Sequence, residues 1–540
     1  MIVIRWGTRN MRHRRHSARR DRVLGALVTS LLAGLGTTGA ASAGVPDPGD
    51  LDRHFAGTGK TTLDIRHSDS AQGIAIDAQG RIVVAGSTSD ATSSDFTVAR
   101  YMPDGSLDPS FGTGGIVRTD FSGRADRATA LDLDSDGRMV VAGMSKGPRG
   151  LDYCAMARYR TNGSLDPSFG DGGRVLASLG GPDNSIHAMA IDSQGRIVVA
   201  GQRYRYHDTF DYYDFLVGRF TPNGTLDSTF GRNGTVSTDF VYTLDWAYSV
   251  ALDSRDRIIA AGEASSYGET SSSALARYRP GGGLDTSFGD GGKVETSFGN
   301  HIYDEADAVT VDDAGRIIAA GGGSLYHTEF TLSRYDPDGN LDASFGSGGM
   351  VRTRFPDSAW ANALTLDGQG RIVAVGSNTT GAVGQLALAR YKPDGSLDGS
   401  FGSGGMVMTP FGRENDVRGD AAAIDERGRI VAAGTVYSGS GSDFALARYV
   451  GRDKAPPEVQ VKGRSRFRTR HDRRRAHFRL VASEPVELLC KLDGGSFHEC
   501  SSPYRTRRLA IGGHRLKVHA TDEAGNVGTD KKRFRIAERR

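Results

Sequence analysis

Apolar and polar residues alternate over short runs along most of this chain, and each run stops at a cluster of Gly, Asp, Asn or Pro. Alternation with a period of two places side chains on opposite faces of a strand. Residues 115–121 (GIVRTDF) show it and are expected to form a first strand, and 128–133 (ATALDL) a second. Residues 138–143 (RMVVAG) and 154–159 (CAMARY) are more continuously apolar or small and are expected as a third and a fourth. Between the second and third lies Asp134-Ser135-Asp136-Gly137, whose Asp and Gly suit a type I turn. The turn recurs as Asp77…Gly80, Asp192…Gly195, Asp312…Gly315, Asp367…Gly370 and Asp425…Gly428, with a variant at Asp253…Asp256. No stretch carries a helical period of useful length.

The strands recur with the chain's repeats. A Leu-Asp-x-x-Phe phrase begins at Leu51, Leu107, Leu165, Leu226, Leu284, Leu341 and Leu397. A second phrase runs from Arg through small apolar residues to Gly and starts at Arg81, Arg138, Arg196, Arg257, Arg316, Arg371 and Arg429. A third ends in Arg-Tyr or Arg-Phe at Arg100, Arg158, Arg219, Arg277, Arg334, Arg390 and Arg448. One four-stranded sheet of this size cannot bury both its faces alone. Radial stacking covers the faces and leaves only short edges. The expected fold is therefore all-β: a seven-bladed β-propeller over 44–450. An open β-solenoid is the alternative, disfavoured by the four-strand unit and by the lack of a short coil period.

The pattern LDxSFGxGGxV…DGRIVVAG…DFALARYxxDGS resembles the delta-60 repeat of bacterial exported proteins over roughly 51–449. That resemblance implies a fold and a location outside the cytoplasm, and no activity.

Composition refines the picture at the two ends. Gly (74) is abundant and Pro (17) scarce, as many tight turns between short strands require. Residues 1–43 read as a signal peptide: an Arg-rich start, an apolar stretch over 23–35 and the small-residue site Ala41-Ser42-Ala43. The pair Arg19-Arg20 leaves Sec and Tat export both open, and Met1 and Met11 are both candidate starts. No later stretch is apolar enough to span a membrane, so the expected mature chain lies in the cell envelope or is secreted, as a monomer. Ala455-Pro456-Pro457 closes a linker over 451–456. Beyond it, strands are expected at 457–461, 477–482, 487–492, 497–499, 514–520 and 533–536, a small antiparallel sandwich. Its phrases Cys490-Lys491-Leu492-Asp493-Gly494, Gly513-His514-Arg515-Leu516 and 520–526 resemble bacterial Ig-like domains, which implies a spacer or adhesion unit. Cys490 and Cys500 flank Asp493-Gly494-Gly495, and a tight hairpin brings them opposite one another for a disulfide. Charge separates the parts: +7 in 1–43, −16 in 44–450 and +12 in 451–540. The basic tail suits an anionic cell-wall polymer. Its Arg-rich run 462–479 holds only Phe467 and Phe478 as stacking groups, which argues against nucleic acid.

Candidate chemistry is sparse. The recurrent Asp of the first phrase (Asp52 to Asp398) and Arg of the third (Arg100 to Arg448) are expected to pair bidentately and lock neighbouring blades. A less regular column stands eight residues before the turn Asp: Asp69, Asp126, Asn184, Asp245 and Asp304, then Ala359 and Val417. These residues either ring one mouth of the propeller and hold a cation or cationic ligand, or make Asx turns at strand starts, the preferred reading. The inserts 203–214 and 263–273 are where an active site on glycans would be sought, with Tyr212, Tyr213 and Asp214 as candidate sugar contacts. Gly57…Thr62 lacks a P-loop's first Gly and helix, Gly143-Met144-Ser145-Lys146-Gly147 lacks a strand-to-helix elbow, and Asp132…Asp136 lacks the Glu that closes an EF-hand. Cys154 reads as a small core residue. No catalytic set or cofactor is identified. The expected function is binding or structural, with a glycan or protein as other partners; the alternative is an extracellular glycan hydrolase or lyase.

Overall fold

The computed structural model describes residues 47–539 apart from 91–92, 122, 148–149, 182, 207–210, 241–243, 266–269, 300–302, 325–327, 381–382, 413–415, 440, 452–456, 484–485 and 522–525. The chain divides into units 1–44 and 45–540, and the expected signal peptide lies outside the described residues. Every regular element among the described residues is a β-strand.

The recurrent element is a set of four antiparallel strands, seen most simply in Asp126–Leu133, Met139–Lys146, Asp152–Tyr159 and Arg174–Ala177. This corrects the frame expected from sequence. The strand expected to come first, Ile116–Thr119, pairs with Ser94–Tyr101 and forms the outer edge of the preceding sheet. The frame shift has a consequence at the ends. No sheet precedes Lys60–Leu63 among the described residues, and it pairs with Gly441–Tyr449, from Lys60↔Ala447 to Leu63↔Phe444. The innermost strands touch in sequence order, and the last, Asp416–Ile424, touches the first, Ser68–Ile76.

The second strand of each set is buried on both faces, which explains its unbroken apolar sequence. In Ile82–Ser89, Val84 packs into one inter-sheet core with Phe444 and Leu446, while Val83 packs into the next with Ala128 and Val141. Neighbouring sheets are also interlocked by the recurrent Arg. Arg158 is 4% exposed. Its Nε donates to Asp166 Oδ2 at 2.9 Å, its Nη2 to Ser168 Oγ at 2.9 Å and its Nη1 to the Pro222 carbonyl of the next repeat at 2.6 Å. The guanidinium lies 4.8 Å from the Phe169 ring centre. Arg100, Arg219, Arg277, Arg334 and Arg448 repeat the arrangement. The pairing departs from the expected fork: Nε and Nη2 of Arg100 both meet Asp108 Oδ2, because Oδ1 is taken by Ser110.

Beyond residue 456, Val459–Lys462, His477–Ala482 and Tyr504–Arg505 form one sheet. Arg466–Thr469, Val527–Glu538, Gly512–Thr521, Glu487–Leu492 and His498–Glu499 form another. The Arg-rich run therefore contributes a strand. Phe467 and Phe478 are buried against Phe534, with ring centres 5.9 and 4.9 Å away, so neither presents a stacking face. Cys490 and Cys500 are joined, with Cα atoms 5.7 Å apart. Cys490 lies opposite His498 in register, so the bridge runs diagonally across the hairpin rather than straight across it.

Candidate functional site

Each innermost strand carries one residue too many. In Ser68–Ile76 the register with its neighbour jumps between Ala71 and Gly73, leaving Gln72 unpaired. The same jump leaves out Thr129, His187, Tyr248, Asn362 and Asp420. In the fifth repeat the strand is interrupted between Asp304 and Ala308, around Asp307. A bulge of this kind re-aims a side chain. Here it turns these residues into a single cavity of about 730 Å³, lined also by Arg127, Glu305, Trp360 and Arg418.

The conspicuous Gly that ends the second phrase makes the bulge possible. A Cβ on Gly201 would sit 1.8 Å from the Ser185 carbonyl oxygen, and one on Gly262 1.8 Å from that of Trp246. Gly143, Gly376 and Gly434 face the carbonyls of Arg127, Trp360 and Arg418 in the same way. The repeated glycine thus serves a column that is hardly repeated at all: Gln72, Thr129, His187, Tyr248, Asp307, Asn362 and Asp420.

The lining is polar and holds buried acids. Burial and the charges of Asp307 and Glu263 push Glu305 well above the ordinary range; burial likewise raises Glu263, which hydrogen-bonds to Glu305 and Tyr248. Burial raises Asp307 to about 7, against the Trp360 indole N–H that donates to it. Asp420 is raised to about 6 by burial, although Arg418 lies 2.7 Å away. His187, 2.6 Å from Gln202 Oε1, is lowered by burial and stays neutral. The cavity therefore combines carboxyls that hold their protons more tightly than usual, an imidazole disfavoured from protonation and the guanidiniums of Arg127 and Arg418.

The column weighed as a mouth rim or as turn chemistry at strand starts stands three residues upstream of the bulges. Asp69, Asp126, Asp245 and Asp304 are fully buried at inner-strand starts, and each Oδ2 accepts a backbone N–H: from Ile65 and Arg66, Phe121, Phe240 and Phe298 respectively. Asn184 donates to the Gly181 carbonyl. Each of the five bonds to residues of its own junction. The insert at 203–214 extends a hairpin, with Arg203 opposite Asp214 and Arg205 opposite Tyr212. Asp214 is buried and takes bonds from Ser237 Oγ at 2.7 Å and Arg205 at 3.0 Å. Tyr213 reaches the cavity indirectly, through Trp246 at 5.9 Å, Tyr248 at 6.3 Å and His187 at 5.7 Å, ring centre to ring centre. Sequence reasoning missed the bulge residues, although one signal marked them: within a strongly repeated unit, theirs is the column of changing polar and aromatic residues.

The sequence matches a domain of unknown function (DUF5122), a beta-propeller, at residues 79–111, 135–169, 193–230, 256–288, 315–345 and 370–401. This chain is a β-propeller-repeat protein. No curated protein matches the propeller chain. Among solved structures, a protein of unknown function from Dyadobacter fermentans is 12% identical, with a TM-score of 0.37, covering 73% of this chain and 98% of that one. The polysaccharide lyase Uly1 is 10% identical with a TM-score of 0.41, covering 71% and 90%. The extracellular domain of a putative hybrid two-component system from B. thetaiotaomicron is 10% identical with a TM-score of 0.27, covering 87% and 72%. Likeness this distant assigns none of those proteins' activities to the propeller.

Proposed function

We propose that this is an exported seven-bladed propeller that binds a polyhydroxylated, glycan-like ligand in its central cavity, with its basic C-terminal part acting as an Ig-like sandwich that tethers it to anionic envelope polymer. One observation carries the binding site: the non-repeating polar and aromatic column converges on a single cavity. Seven blades are supported by the split last repeat. Its turn and inner phrases lie at 425–449 and its Leu-Asp-x-x-Phe phrase at Leu51, joined through the pairing of Lys60–Leu63 with Gly441–Tyr449. Export is supported by the Cys490–Cys500 disulfide, and no helix among the described residues is long and apolar enough to cross a membrane. Glycan-array binding followed by calorimetry tests the reading. Trp360→Ala and Asn362→Ala should abolish binding; binding that survives both refutes it.

A second reading, cleavage of the glycan, is favoured by the buried acids. Burial shifts Glu305 and Asp307 upward, the direction that a general acid near neutral pH needs. Polysaccharide digestion assayed by new reducing ends and by ultraviolet absorbance of unsaturated products tests it. Turnover that disappears in Glu305→Gln supports catalysis; absence of turnover on every polymer that binds removes it.

A further inference from the structure

Among the described residues, three places bring three aspartates together, with oxygens within 4.8 Å of one another: Asp64, Asp69 and Asp443; Asp95, Asp120 and Asp126; and Asp214, Asp239 and Asp245. The positions correspond. One residue stands five before the interlocking Arg, one follows the outer strand, and one starts the inner strand. In each cluster the last of these, Asp69, Asp126 or Asp245, is fully buried. Its Oδ2 accepts a backbone N–H, and its Oδ1 has no hydrogen-bond partner. A buried carboxylate oxygen facing like charge without a donor is costly unless a cation sits beside it.

Two of the clusters carry a guanidinium on their other aspartates, which lowers the like charge around the buried one. Arg118 pairs with Asp95. Arg205 lies 3.0 Å from Asp214 and 3.1 Å from Asp239. The cluster where the first strand meets the last repeat differs. Thr62 occupies the position that Arg118 holds in the next repeat. The nearby Arg66 is engaged by Asp90, and the Lys60 ammonium by the Pro410 carbonyl and the Phe411 face. Asp443 is raised by burial and by Asp64, and Asp69 by burial and, less, by Asp64 and Asp443.

We infer that Asp64, Asp69 and Asp443 bind a divalent cation of calcium type, which pins the pairing of Lys60–Leu63 to the last repeat. Three carboxylates brought together from two strands, at Asp69 and Asp443, and from the residue after a third, Asp64, suit a hard ion that tolerates variable geometry, so calcium should bind more tightly than magnesium. The ion replaces the arginine of the other two clusters, and the site is independent of the central cavity.

The test uses the full chain, stripped with EDTA and titrated with calcium chloride by calorimetry, native mass spectrometry and thermal unfolding. One ion per chain and a rise in unfolding temperature are expected. Asp443→Asn should weaken uptake by at least about tenfold, while Asp95→Asn should leave it unchanged. Thr62→Arg supplies the missing guanidinium without removing any carboxylate. It should abolish uptake and make the calcium-free chain as stable as the loaded wild type, which keeps the test decisive if Asp443→Asn fails to fold. No uptake at millimolar calcium, or uptake unchanged in Thr62→Arg, overturns the proposal.

Discussion

Replacing Arg158 by Met measures how strongly neighbouring sheets are interlocked. The substitution keeps most of the apolar stem and deletes three hydrogen bonds, to Asp166, Ser168 and the Pro222 carbonyl. It leaves Asp166, 3% exposed, with its two Ser168 bonds and long contacts to Arg138 at 3.5 Å and to the exposed Arg160 at 3.9 Å. Removing one partner of a buried ion pair costs about 3–5 kcal/mol, most of it the stranded charge. Loss of the contact with Phe169 adds about 0.5–1 kcal/mol. A cost of about 4 kcal/mol is therefore expected in urea unfolding followed by tryptophan fluorescence. Arg158→Met combined with Asp166→Asn removes the stranded charge but keeps an acceptor for Ser168, and should recover about half of that loss. The reasoning fails if the single variant costs under about 1 kcal/mol, or if the two substitutions simply add. The pH dependence has a definite sign. Burial opposes it, but the bonds from Ser168 and the charge of Arg158 hold Asp166 below its ordinary 3.8. This contribution is present above that value and is lost as the pH falls through the lowered one.

Four further outcomes are expected. Asp307 and Asp420, raised from 3.8 to about 7 and about 6, contribute stability that is full below 3.8 and lost as pH rises through those values, so the urea midpoint should fall between pH 5 and 8 and fall less in Asp307→Asn. The Tyr101 hydroxyl is buried without a partner because Leu63 stands where Thr119 meets Tyr159 at 2.7 Å; Leu63→Thr should stabilise by up to about 1 kcal/mol, and a measured loss would contradict this. Gly201→Ala forces the bulge carbonyl away and should both destabilise the chain by several kcal/mol and displace His187, read by denaturation and by the imidazole's NMR titration. Cys490→Ser should cost the C-terminal part about 2–3 kcal/mol, while Cys154, buried and raised to about 12, should stay unlabelled by maleimide until the protein unfolds.

Strand periodicity, turn chemistry and the repeat were legible in the sequence because they rest on local rules: alternation, Asp-x-x-Gly turns, and a unit recurring about every 57 residues. The Arg and Asp columns were legible as a pair for the same reason, since a residue present in every repeat answers to a contact present in every repeat. Three matters were decided only by tertiary structure. Which sheet owns Ile116–Thr119 depends on pairing across a connection, and alternation within a strand is the same on either side of it. Which column faces the cavity depends on one unpaired residue; a shift of one reverses every side chain, and nothing local in Ala128–Ala130 announces the bulge. Finally, the carboxylate neighbours of the aspartates at the inner-strand starts come from sequence positions as distant as Asp69 and Asp443. Residues this far apart become neighbours only once the last repeat meets the first strand, and no spacing along the chain encodes that contact.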